Sequence, residues 1–173
     1  MPSAISKSLL IACLVARAIA SPISEEVAVK GAFLVNFAKF VEWPVTTTSL
    51  GFCVIGDGRM ASYLEANIAG TAIDGRLLSV RNQPDLAQLS SCSVIYIGRE
   101  AKAVVAQIAQ TVAGKHILTV SEFPELGARG VAVSFFIDEE RVRFEVNLGA
   151  VSQAELTISS KLLALARITG GNK

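Results

Sequence analysis

The pattern that most constrains this chain is a strand, a glycine turn and a helix in that order, met twice. Leu50 to Ile55 is a short apolar run that stops at Gly56-Asp57-Gly58 and gives way to helical spacing from Met60 to Ile68. The same order returns at Ser93 to Ile97, Gly98, and Ala101 to Val112. Continuous apolar strands are buried on both faces, and strands alternating with helices form a largely parallel sheet covered on both sides. Leu77 to Val80, reached through the turn Asp74-Gly75, and His116 to Val120 read as two more strands. The β-rich runs Val131 to Ile137 and Arg141 to Val146, separated by Asp138-Glu139-Glu140, then read as an antiparallel hairpin. The expected fold is a single α/β domain, Rossmann-like, with a mixed, mostly parallel β-sheet, helices on both faces and a C-terminal antiparallel hairpin.

Two amphipathic segments flank this frame. From Glu25 to Val41 the residues Val27, Leu34, Phe37, Ala38 and Val41 recur at three- and four-residue spacing, widened by Phe33 and Phe40, and predict a helix. Trp43-Pro44 ends it, because the residue before a proline is pushed out of the helical region. Thr157 to Ile168, with Leu162, Leu163 and Ala166 on one face, predicts a closing helix.

Residues 1–20 carry Lys7, an apolar run from Leu9 to Ala16, and Ala18-Ile19-Ala20, the small-x-small pattern of a cleaved secretory signal. The run is well short of the ~20 apolar residues that span a bilayer, and Arg17 interrupts it, which weighs against an anchor. Leu10-Ile11-Ala12-Cys13 resembles a lipobox, a minority alternative in which Cys13 is lipidated. The mature domain is expected over residues 21–173, exported from the cytoplasm.

The chain has 16 basic and 15 acidic residues, and cleavage would remove Lys7 and Arg17. A nearly neutral chain without a basic run lacks the footprint of a nucleic-acid binder or of a protein held on anionic lipid. Cleavage would also take away Cys13, leaving Cys53 and Cys92 in an oxidising compartment. A disulfide is the default there, and two unrelated buried thiols are the alternative.

No constellation for catalysis emerges, and no cofactor or metal is expected. His116, the sole histidine, has no clustered partners, and nothing has zinc-ligand spacing. Gly56, Asp57 and Gly58 sit where open α/β sheets bind ligands and could approach an anion at a helix N-terminus. The full glycine fingerprint is absent, since position 61 is alanine, and a plain tight turn is the competing reading. Glu139 and Glu140 fit a hairpin tip, and Glu145 alternates along a strand with Arg141 and Arg143 on one polar face.

Six segments taken together carry a family likeness. They are Lys30 to Pro44 (KGAFLVNFAKFVEWP), Phe52 to Asp57, Cys92 to Gly98, Ile117 to Ser121, Arg141 to Leu148 (RVRFEVNL), and Ile158 to Leu163 (ISSKLL). In this order they resemble the YfiR-like family of periplasmic proteins. The resemblance implies a regulator, not an enzyme, that binds the periplasmic sensory domain of an inner-membrane diguanylate cyclase and keeps cyclic di-GMP and biofilm formation low. It also implies that oxidation state matters, since Cys53 and Cys92 match the family's cysteine positions. A second cysteine pair carried by some members has no counterpart between Val120 and Arg141, which puts a two-disulfide mechanism in doubt.

For the docking surface, Phe40 and Trp43 at the helix end are the first candidates, as aromatic anchors beside a polar rim. Arg143, Glu145 and Asn147 on the polar strand face are the second, and Ser159 lies in the next segment. An apolar surface around Trp43 would also suit a homodimer. The competing reading is a small-ligand sensor, with its pocket at Gly56-Asp57-Gly58, acting on another membrane receptor.

Overall fold

Helix α1 (Glu25–Phe40) starts at Ser24, whose side chain accepts the Val27 N–H. Glu25 and Glu26 in its first turn and Lys39 in its last follow the charge order that the helix dipole favours. The chain then turns extended into the two-residue strand β1 (Val41–Glu42) ahead of Trp43-Pro44. The structure, a computed structural model, describes residues 24–170. The expected signal segment and Cys13 lie outside the described residues.

The two strand-turn-helix units form as expected. Strand β2 (Ser49–Ile55) leads through Gly56-Asp57 to α2 (Gly58–Ile68), then to β3 (Ala72–Ile73) and β4 (Arg76–Asn82). After a 3-10 turn at Leu86–Ser91, β5 (Val94–Ile97) leads through a second 3-10 turn, Arg99–Val104, to α3 (Val105–Val112). Then come β6 (Leu118–Ser121), a third 3-10 turn (Pro124–Arg129), and the hairpin of β7 (Val133–Asp138) and β8 (Arg141–Asn147). The described residues end with α4 (Leu148–Gln153), β9 (Thr157–Ile158), α5 (Ser160–Leu163) and β10 (Arg167–Thr169).

Eight strands form one sheet in the order β10-β8-β7-β6-β5-β2-β4-β3. Strands β4, β2, β5, β6 and β7 run parallel to one another, β3 pairs antiparallel with β4, β8 returns antiparallel to β7, and β10 adds to β8 in parallel. One face packs on α1 and α2 through Leu34, Phe37, Met60 and Leu64, with Phe52, Tyr96, Phe135 and Phe144 from the sheet. The other face packs on α3 through Val105, Ile108 and Val112, with Ile95, Ile97 and the two cysteines. The mixed sheet covered on both faces is thus present. No helix among the described residues is long and apolar enough to cross a membrane.

Three expectations are corrected. Thr157 to Ile168 is not a single helix. Its first two residues pair with β1, matching Val41 with Ile158, and Arg167–Thr169 pair with the edge of β8. Open backbone groups on both strands take this segment despite its helical spacing, because every buried N–H and C=O needs a partner. The helix expected from Ala101 begins as a tighter turn, since Ala101 packs directly on the backbone of Gly56. His116 has a positive φ of 54° and lies in a turn, so β6 starts at Leu118.

Candidate functional site

Helix α1 runs against the parallel strands, so its two ends lie over opposite ends of those strands. At its C-terminal end the first and last segments of the family likeness meet, Val41 pairing with Ile158. The Trp43 indole donates to the Ala38 carbonyl at 2.8 Å, which folds the half-buried ring back on the helix end. The β1–β9 pairing and the Ser159 N–H bond to the Phe40 carbonyl at 2.9 Å bring Phe40, Trp43 and Ser159 together. The Ser159 hydroxyl accepts the Lys161 N–H and caps α5. Beside them opens a groove of about 480 Å³, walled by Leu148, Val151, Leu156, Ile158 and Leu163 and rimmed by Ser152, Glu155 and Thr157. Sequence reasoning missed the walls from α4. The available signal was Asn147 before an apolar Leu-Gly-Ala-Val run, a helix start too short to show a period.

The second group of candidates divides. Arg143 is exposed and faces a separate hollow with Phe136, Asp138, Leu165 and Arg167. Glu145 is not on an open polar face, as expected, but 6% exposed. The cause is β10. Arg167 stacks on the Phe136 ring at 4.0 Å and bonds the Glu145 carboxylate through Nε, at 3.1 Å, and Nη2. Asn147 accepts the Ala150 N–H as the cap of α4 and donates to the Gly127 carbonyl at 2.7 Å. Glu145 and Asn147 therefore hold the C-terminal elements in place behind the groove.

At the opposite end of the strands, the Gly56-Asp57-Gly58 turn is held by the chain's own groups. The Asp57 carboxylate accepts the Arg59 and Met60 N–H groups, so the chain's own anion fills the N-terminus of α2. A side chain at Gly98 would overlap the Gly56 carbonyl and Asp57, and Gly98 N–H bonds Ile55 at 2.8 Å. Gly56 and Gly98 serve close backbone packing, whereas a side chain at Gly58 would meet open space.

Next to this turn stands a buried ionic cluster that the sequence did not reveal. Glu122, just past β6, accepts from Lys30 at 2.7 Å, from Arg99 Nε at 2.9 Å and from the Tyr96 hydroxyl. Lys30 also pairs with Glu26 one turn earlier on α1. Burial alone would raise the Glu122 pKa, but the hydrogen bonds from Lys30, Tyr96 and Arg99 with the Lys30 charge outweigh it and hold the carboxyl below the usual range. Burial, and then the Glu122 charge, push the Tyr96 phenol up, so it stays a donor. Every member has a partner inside the cluster, and its chemistry is that of a clasp between α1 and the sheet.

His116 approaches Glu155 at 3.4 Å on the surface. No group of three or more His, Cys, Asp or Glu converges for a metal among the described residues. Cys53 of β2 and Cys92, two residues before β5, form a disulfide with Cα atoms 5.9 Å apart.

Solved structures share the fold. A domain titled the ABC domain in complex with L-Trp, from Streptococcus pneumonia, superposes with a TM-score of 0.56 at 10% identity, over 80% of this chain and 62% of that one. A conserved domain protein from Vibrio cholerae O1 biovar El Tor gives 0.50 at 16% identity, over 86% of this chain and 60% of that one. The chain thus spans about three fifths of the length of these two structures. The family model described as YfiR/HmsC-like matches residues 27–167, from the first turn of α1 to the first residue of β10. The match takes in the helix end, the disulfide and the groove, and the chain belongs to the YfiR/HmsC-like family.

Proposed function

We propose that this protein is a periplasmic regulator, not an enzyme, that binds the sensory domain of an inner-membrane diguanylate cyclase and represses cyclic di-GMP synthesis. Family membership supports the coarser part, a periplasmic regulator of diguanylate cyclase signalling. One observation carries the finer part: Phe40 and Trp43 meet Ser159, distant from them in sequence, beside an apolar groove with a polar rim. Aromatic and aliphatic groups in a hollow rimmed by polar residues are what concentrate binding energy at a protein interface.

The test compares cellular cyclic di-GMP in the source bacterium with the gene deleted, restored, and restored as Leu163→Asp. Leu163 is half-buried in the groove wall, so the charge opposes docking more than folding. The reading requires a rise on deletion that the wild-type gene reverses and the variant does not. Unchanged levels throughout would assign the surface to another membrane receptor or to a second copy of this chain.

A further inference from the structure

Helix α4 stands between two hollows. Leu148, Val151 and Ser152 face the proposed docking groove, whereas Ala150, Gln153 and the adjoining Ala154 face a separate cavity of about 290 Å³. The far wall of that cavity comes from α3, through Ala109 and Val112, and its floor from Ile117 and Thr119 at the start of β6. Arg129 and Gln110, both exposed, stand at its rim. It lies at the amino end of β6, whereas Gly56-Asp57-Gly58 follows the carboxyl end of β2, which runs the same way.

Thr119 is 3% exposed, and its hydroxyl accepts the Ala132 N–H at 3.0 Å. A hydroxyl also carries one proton to donate, and among the described residues that proton has no acceptor. Arg129 is in no ion pair among the described residues, although it lines the same cavity. A buried donor, a guanidinium and two amides set around methyl-lined walls lack an acceptor of negative charge joined to a small apolar body.

We propose that this cavity binds a small aliphatic carboxylate, one oxygen accepting from Thr119 and the other from Arg129, with the alkyl group against Ala109, Val112 and Ala150. The ligand would touch the back of the helix whose front lines the docking groove. Its occupancy is thereby linked to partner affinity, because a ligand shifts any equilibrium whose two states it binds unequally. The linkage rests on the docking reading above, and the site itself does not.

The experiment is an amide-resolved NMR titration of the protein with isobutyrate, with isobutyramide as the neutral control. Saturable shifts at Thr119, Gly130, Ala150 and Ala154 at millimolar isobutyrate are expected, with little response to the amide. Arg129→Gln, at an exposed position, keeps the fold and should weaken binding about tenfold, as loss of one charge-assisted hydrogen bond does. Thr119→Ser should bind and Thr119→Val should not. No saturation at tens of millimolar, or equal binding of acid and amide, or an Arg129→Gln protein that binds as the wild type does, overturns the site and leaves a water-filled hollow. Partner affinity is then measured with and without saturating isobutyrate. A change of severalfold is expected, and none overturns the linkage alone. Leu163→Asp, which should abolish docking and leave isobutyrate binding intact, separates failure of the docking reading from failure of the site.

Discussion

Lys30 shows how a single residue can hide its role in a sequence. It stands on the buried stripe of α1 with Val27, Leu34 and Phe37, where a charge demands a partner, but its partner Glu122 is far away in the chain and follows no pattern. Only the fold brings the two together. Removing one member of a buried ionic cluster leaves the others unpaired, so Glu122→Gln should lower stability by about 3 kcal/mol in urea unfolding at neutral pH. The pH dependence has a definite sign. A carboxyl whose pKa is lower folded than unfolded contributes stability above its unfolded pKa, and that contribution is lost as the pH falls through the folded one. Wild-type stability should therefore decline on acidification below the ordinary glutamate range, and Glu122→Gln should flatten that part of the profile.

At the scale of elements, the strand-turn-helix units and the hairpin were legible because local pattern and tertiary need agree there. The segment after Ala154 was not, because backbone pairing with β1 and β8 overrides its helical spacing. The hairpin tip has a cost of its own. Glu139 and Glu140 have φ values of 46° and 62°, in the left-handed region that Asn-Gly occupies with little strain. Replacing the pair by Asn-Gly should raise stability by about 1 kcal/mol, read as a higher unfolding midpoint with an unchanged denaturant slope. The disulfide joins β2 to the approach of β5 and closes a loop with a sequence separation of 39. In the chain-entropy model its reduction should cost about 4 kcal/mol. Coincident unfolding midpoints for oxidised and reduced protein would remove any role for this bridge in holding the partner-binding shape.

For the whole molecule, the sequence points to the C-terminal end of α1 but not to what surrounds it. Trp43 and Phe40 stood out as aromatics at a helix end. Val151 gives no sign, because α4 is six residues long, too short for periodicity to speak, and Leu163 reads as part of a longer closing helix than the four-residue α5. Glu145 misled, since strand alternation says which face a residue takes and not whether another strand covers that face. A direct check on the assembled surface is the affinity of the purified protein for the cyclase sensory domain. Trp43→Ala and Leu163→Asp should each weaken it by at least about tenfold, the loss of one interface anchor, and Arg143→Ala should have little effect.

The small sheet of β1 and β9 joins the end of the first helix to a segment near the close of the described chain. Contacts between residues so far apart raise the contact order and are slow to form, because most of the loop between them has to be ordered first. A chain that emerges from its N-terminus can build α1 and the first strands early, but it cannot complete the surface around Trp43 until β9 arrives. On the docking reading proposed above, competence to dock is therefore a late step of folding, and half-made molecules are kept from engaging a partner.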